Sequence, residues 1–140
     1  MKKKIIFVIA LIFIAIVSIY FFNEYKTKSL VKDFLHANNL SEEILKIGVL
    51  NDSTTTITNV DKDNPIFPTL IDLLEDLTVK RSHSDFSYTE GYTFIIYRNN
   101  NFYHISVNES GILLIDGKNY ETQEDESIKE LFALIKKSTQ

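Results

Sequence analysis

The strongest pattern along the chain is an unbroken apolar run at residues 5–22, preceded by three lysines. The run contains no charged residue, and Ser18 is its one small hydroxyl. At ~1.5 Å per residue, a helix of this length spans roughly 27 Å, close to the ~30 Å hydrocarbon thickness of a bilayer. A buried helix in a globular core would be expected to show a polar face, and this run shows none. The pattern predicts a transmembrane helix over residues 5–22, with Ile5, Phe13 and Phe22 in contact with membrane lipid.

A cleaved secretory signal peptide is the alternative interpretation of this run. Signal peptides have apolar segments of about 7–15 residues, followed by small residues at the cleavage site. This run is longer and ends in the bulky residues Tyr20, Phe21 and Phe22, which are typical of a membrane interface. The lysines at positions 2–4 place the 1–4 tail in the cytoplasm by the positive-inside rule. We therefore expect a single-pass protein of the cell membrane, with a cytoplasmic N-terminus and an extracellular C-terminal domain.

After the apolar run, residues 23–41 show a helical period. One stripe contains Leu30, Val31, Phe34 and Leu35, and Asn38 and Asn39 end the pattern. The sequence predicts a helical stalk over 23–41. Its stripe packs either on the following domain or on a partner helix, in which case the stalk would mediate self-association.

Residues 42–140 alternate between strand and helix signals, which predicts one extracytoplasmic α+β domain. The fold class is a transmembrane helix followed by an antiparallel meander packed with two helices. A polar stretch at 82–91 is either a long loop or an irregular strand. Strands are predicted at 46–50, 54–60, 92–98, 102–107, 112–115 and 118–121, and helices at 65–78 and 127–137.

The composition excludes several classes of function. The chain has no cysteine, which removes thiol nucleophiles, zinc fingers, iron–sulfur sites, disulfides and a lipid-modified cysteine. The formal net charge is −4, and without the three leading lysines the remainder has twelve basic and nineteen acidic residues, or −7. Such a domain repels nucleic acid and anionic lipid headgroups, so we expect no nucleic-acid partner.

Candidate chemistry centres on histidines and carboxylates. His83 and Asp85 share a polar loop, but adjacency along the chain does not build a catalytic triad. Asp61 and Asp63 begin like a calcium loop, but Pro65 follows where a further ligand belongs. We therefore expect no catalytic residues, no metal site and no cofactor. The alternative is a small-ligand receptor or a hydrolytic enzyme with a site near His83, Asp85 and His104.

Aromatic residues are concentrated in the meander. On strand 102–107, His104 shares a face with Phe102 and Ser106. Tyrosines that face solvent bury much area at low entropic cost when a partner binds. Tyr92, Tyr97, Tyr103 and His104 are the candidate binding surface, and the sequence favours a protein- or peptide-binding module over an enzyme.

From Ile44 onward, the layout resembles the YhfM-like domain of small Gram-positive surface lipoproteins and anchored proteins. The resembling segments are KIGVL, the Leu-rich helix leading to VKR, YTFIIYR, FYHISV and GILLIDGKNY. The resemblance implies a surface-displayed α+β domain without an assigned activity. An envelope accessory or immunity-type role is compatible with it. The lipid-accepting cysteine of the lipoprotein members is missing here, and a membrane helix would serve the same anchoring purpose.

Overall fold

The computed structural model describes residues 2–123 and 125–138 and has an α+β fold. The helices are α1 (Lys2–Tyr25), a π-helical turn (Leu30–Leu35), α2 (Leu40–Glu43), α3 (Phe67–Asp76) and α4 (Asp125–Ser138). The strands are β1 (Lys28–Ser29), β2 (Ile44–Asn51), β3 (Thr56–Asp61), β4 (Thr78–Arg81), β5 (Gly91–Arg98), β6 (Phe102–Asn108), β7 (Ile112–Ile115) and β8 (Lys118–Thr122). The predicted α+β class, with an N-terminal apolar helix and an antiparallel sheet, is confirmed.

All eight strands form one antiparallel sheet, in the order β1-β4-β8-β7-β6-β5-β2-β3. Short connections explain the central meander from β5 to β8. The last turn contains Asp116 at φ 50° and Gly117 at φ 73°. Two successive positive φ angles belong to a type I′ turn, whose twist matches that of a two-residue hairpin. The predicted turn at these residues is confirmed.

The core lies between one face of the sheet and the helical segments. From α3 it contains Leu70 and Leu74, and from α4 Leu131 and Ile135, all at helical spacing and buried. They pack against alternate strand residues, among them Ile47, Val49, Phe94, Ile96, Ile105, Val107 and Leu113. The helices therefore cover one face of the sheet and leave the opposite face open.

The predicted continuous stalk over 23–41 is wrong. α1 ends at Tyr25, and the chain then pairs briefly with β4, where Lys28 lies opposite Val79. Ser29 Oγ accepts a hydrogen bond from the Lys32 backbone N–H and caps the π-helical turn. His36, at φ 50°, ends that turn. These residues belong to the domain, which begins at β1 and not at residue 42.

The apolar stripe of this segment packs on the domain. Leu30, Val31 and Leu35 are buried in the core, and the Phe34 ring lies edge-on to Tyr120 with centroids 5.0 Å apart. The first of the two predicted packing alternatives is thus confirmed. Leu30, Val31 and Leu35 are therefore not exposed on the surface, as they would have to be to mediate self-association through a stalk.

α1 differs from the other described helices because its apolar residues from Ile5 to Phe22 are almost all exposed. The most apolar eighteen-residue window within residues 3–25 has a mean hydropathy of 3.1, and none of that window is buried. The helix is long and apolar enough to cross a membrane, a property that signal sequences share. Its exposure excludes a core helix of this domain.

Polar contacts hold the end of α1 against the domain. The Glu24 carboxylate lies 2.9 Å from the Lys118 ammonium and 3.6 Å from Arg81 Nε. The Tyr25 ring contacts the His83 ring, with centroids 5.6 Å apart. The domain therefore sits directly at the end of the apolar helix.

Candidate binding groove on the open sheet face

The open face of the sheet carries three rows of side chains, each crossing neighbouring strands in register. Strand alternation places these residues opposite the core. The rows are Lys46–Tyr97–Phe102, then Gly48–Ile95–His104, then Leu50–Thr93–Ser106–Leu114. Ile57 of β3 extends the third row. Several of these side chains are apolar or aromatic although no helix covers them, and Phe102 is 62% exposed.

A groove of about 530 Å³ lies on this face, beside β6. Its lining residues are Tyr88, Thr93, Phe102, Tyr103, His104, Ser106, Leu114, Asp116 and Gly117. The volume falls within the range of ligand pockets, roughly 300–1,000 Å³. We refer to this site as the β6 groove.

The β6 groove exists partly because β7 is short. The last pairing between β6 and β7 joins Ile105 to Ile115. β6 continues from Phe102 to His104 beyond that pair, and no further β7 pairing is found in the described part of the chain. The Asp116–Gly117 turn closes the end of the β7–β8 hairpin beside this overhang. The result is a notch with an aromatic strand on one side and a carboxylate-bearing turn on the other.

Loop 82–90 supplies the remaining wall. It connects β4 to β5, which three other strands separate in the sheet, so the loop must cross the sheet. Tyr88 lines the groove together with Thr93 and Ser106, which places the crossing on the open face. The Tyr88 ring is held edge-on by Phe86, with centroids 4.8 Å apart.

A hydrogen-bonded chain leads from the groove to a partly buried carboxylate. Ser106 Oγ lies 2.8 Å from Thr93 Oγ1, which donates to Asp52 Oδ1 at 2.9 Å. Asp52 Oδ2 is buried and has no hydrogen-bond partner among the residues that the structure describes. Burial raises the pKa of Asp52, and the hydrogen bond from Thr93 acts in the opposite direction.

Asp116 is the carboxylate of the groove wall itself. Within residues 2–123 and 125–138, its side chain makes neither an ion pair nor a hydrogen bond. The nearby cation Lys118, two residues further along the chain, is already paired with Glu24. The groove therefore combines aromatic rings, hydroxyls and one unpaired negative charge.

Two of the predicted surface tyrosines, Tyr92 and Tyr103, do not lie on the open face of the sheet. The Tyr92 ring is buried against Phe132, with centroids 5.0 Å apart, because strand alternation places Tyr92 on the core side and Thr93 on the open side. Its assignment to the predicted binding surface was therefore wrong. Tyr103 also packs against the core, although it borders the groove. Tyr97 lies on the open face, with the Lys46 ammonium 4.8 Å from its ring centroid. His104 is exposed in the groove, 5.3 Å from the Phe102 ring.

The structure does not assemble the alternative site. His83 contacts Tyr25 at the end of α1, and neither His83 nor Asp85 lines the groove that contains His104. In the described ranges, no three His, Cys, Asp or Glu side chains come together as a metal site.

The sequence analysis did not predict Tyr88 or Asp116 as part of the candidate site. It placed Phe102 on the same face as His104 but did not include it in the binding surface. The period-2 pattern already placed Phe102 beside His104, so that residue was within reach of the sequence. Asp116 was recognised as a turn residue but not as part of a site. Tyr88 could not be assigned, because its position depends on the path of a loop with no periodicity of its own.

The chain matches no protein-family model, no curated protein and no solved structure. The resemblance to the YhfM-like domain remains a prediction.

Proposed function

We propose that the chain is a single-pass membrane protein whose extracytoplasmic domain binds a protein or peptide through the β6 groove. In this proposal α1 is an uncleaved anchor and the domain works at the outer surface of a bacterial membrane, in an envelope accessory or immunity-type role. The observation that carries the proposal is a sheet with one face packed by helices and the other face left open and aromatic, attached to an unburied apolar helix.

The anchor is supported by the cost of exposing α1 to water. Apolar surface contributes roughly 25 cal/mol per Å² when it leaves water. Ile6, Phe13 and Phe22 are all more than 60% exposed. A bilayer is the environment that removes this surface from water along the whole helix, and the flanking lysines favour the N-terminus inside.

The binding role is supported by what the open face presents. Phe102 and Tyr88 are exposed rings at the groove, at 62% and 57%, and Ile57 lies further along the same face at 57%. Rigid aromatic side chains with an adjacent polar rim are typical of the anchor positions of interfaces. The competing proposal of a catalytic site has less support, because His83 and His104 lie in different places.

A photo-crosslinking amino acid at Phe102 in intact cells tests this function. We expect a defined adduct from position 102 and none from a matched position at Lys129, which is exposed on α4 on the helical side of the sheet. A specific adduct at 102 alone supports the proposal. Equal labelling at both positions, or no adduct at 102, contradicts it.

A further inference from the structure

We infer that the β6 groove takes a basic side chain, lysine or arginine, of a cationic peptide. This inference rests on the proposed function and names the chemistry of the partner. It requires aromatic rings and an available negative charge in the groove. It also requires a net negative charge on the domain, whose electrostatic field attracts cations.

The rings are placed around the groove from two elements. Tyr88 comes from loop 82–90, and Phe102 and His104 come from one face of β6. An ammonium or guanidinium group within about 6 Å of an aromatic centroid is attracted by the negative face of the ring. The same sheet face already shows this interaction in the Lys46 ammonium, which lies over Tyr97.

The negative charge is Asp116. Asp116 borders the groove and has no ion pair or hydrogen bond in the described residues. Asp52 adds a second carboxylate, connected to the groove wall through Thr93. A cation is the ligand that matches the Asp116 carboxylate, whereas an anionic ligand would be repelled by it.

The charge of the whole domain acts in the same direction. Without the three leading lysines, the chain carries twelve basic and nineteen acidic residues. A field of this sign steers cations toward the surface and raises their rate of encounter. Specific recognition then depends on the groove, because the field alone does not distinguish one part of the surface from another.

The notch also suits an extended peptide. Phe102, Tyr103 and His104 project past the end of β7, so the β6 backbone is open on that side within the described residues. A peptide lying along this edge would bring a basic side chain between Phe102 and Asp116. Backbone hydrogen bonds between the peptide and the open edge of β6 would supply affinity, and the position of the basic side chain would supply selectivity.

Fluorescence anisotropy with a labelled heptalysine tests the inference. The full chain is placed in nanodiscs of zwitterionic phosphatidylcholine, so that the lipid adds no net attraction. Heptalysine whose side chains are all acetylated is the matched neutral probe. We expect the acetylated peptide to bind at least about tenfold more weakly than heptalysine, because it retains the length but loses the charge.

Two substitutions localise the binding. Asp116→Asn is expected to weaken heptalysine binding about three- to fivefold. Phe102→Ser should weaken it about threefold at unchanged net charge. Asp76→Asn is the matched control: it removes one exposed carboxylate at the end of α3, on the helical side, and should leave the affinity within about 1.5-fold. Unchanged circular dichroism of each variant shows that the domain remains folded.

Equal weakening by D116N and D76N would overturn the inference, because the peptide would then sense only net charge. Equal binding of the acetylated probe would overturn it as well, and so would full affinity in F102S. A crosslinked partner at position 102 combined with any of these results would leave the proposed function standing and refute only the cationic class of ligand.

Discussion

At the residue scale, two glycines in adjacent central strands differ in what surrounds them. A Cβ on Gly91 of β5 would lie 2.6 Å from the Val107 carbonyl oxygen, a backbone atom that cannot easily move. A Cβ on Gly48 of β2 would meet its nearest neighbour at 3.5 Å, an ordinary van der Waals contact. Gly91 is therefore required for close approach of β5 and β6, whereas Gly48 is not.

We expect Gly91→Ala to destabilise the domain by about 1–3 kcal/mol, since the strands must separate to accept the methyl group. Gly48→Ala should change the free energy of unfolding by less than about 1 kcal/mol. Urea titration of both variants in detergent, followed by tyrosine fluorescence, compares them. Equal stability of the two variants would contradict the packing described for Gly91.

The partly buried carboxyl of Asp52 leads to a prediction about how the stability of the domain depends on pH. Burial holds its pKa in the folded protein above the ordinary value of 3.8. Relative to the unfolded state, the folded state thus favours the protonated carboxyl, and ionisation lowers the stability as the pH rises from 3.8 through the higher folded-state pKa. Asp52→Asn removes this cost, so the stability of the variant relative to the unsubstituted protein should increase with pH over that range.

Urea midpoints at a series of pH values between about 3 and 7 measure this difference. Asp76→Asn, at an exposed carboxylate, reports the general effect of removing one negative charge. If the D52N and D76N curves run parallel to each other at all pH values, the burial of Asp52 has no energetic consequence and the prediction is wrong.

At the scale of elements, local periodicity predicted the meander, α3 and α4. Alternating residues such as Phe94 and Ile96 face the core by the period-2 rule, and Leu131 and Ile135 face it by the helical rule. Both rules need only near neighbours in the chain. The Asp116–Gly117 turn was equally local, because two residues that tolerate positive φ determine it.

The prediction of a helical stalk over 23–41 was wrong for a non-local reason. Its stripe fits any helical turn, but the path from Lys28 to Leu35 depends on pairing with β4, whose Val79 lies far along the sequence. The groove was not predicted for a similar reason, since Tyr88 and His104 line the same groove only after the whole sheet has been assembled. Strand alternation identified His104 and its face, and no sequence rule located the loop that supplies Tyr88 to the groove wall.

A core substitution tests whether the 28–35 segment belongs to the domain. Leu30 is fully buried, so Leu30→Ala should lower the free energy of unfolding by about 2–5 kcal/mol. Leu45→Ala is the matched control at a side chain that is 51% exposed, and its effect should stay below about 1 kcal/mol. An independent stalk would instead leave the unfolding of the domain unchanged when Leu30 is truncated, which would contradict the structure.

At the scale of the whole molecule, the groove and the apolar helix lie close together. Asp116 and Gly117 border the groove, and the next residue, Lys118, binds Glu24 at the end of α1. The contact between the Tyr25 and His83 rings is a second one at this junction. If α1 is an anchor, a ligand in the β6 groove is held near the membrane surface.

The central claim is that α1 spans the membrane and carries the domain outward, and accessibility labelling tests it most directly. The chain has no cysteine, so Ser110→Cys and Lys4→Cys each introduce a single reporter. We predict that both variants are in the membrane fraction, that a membrane-impermeant maleimide modifies Ser110→Cys in intact cells, and that Lys4→Cys reacts only after permeabilisation. Protection of Ser110→Cys in intact cells, or recovery of a shortened soluble chain that has lost the apolar helix, would contradict the account.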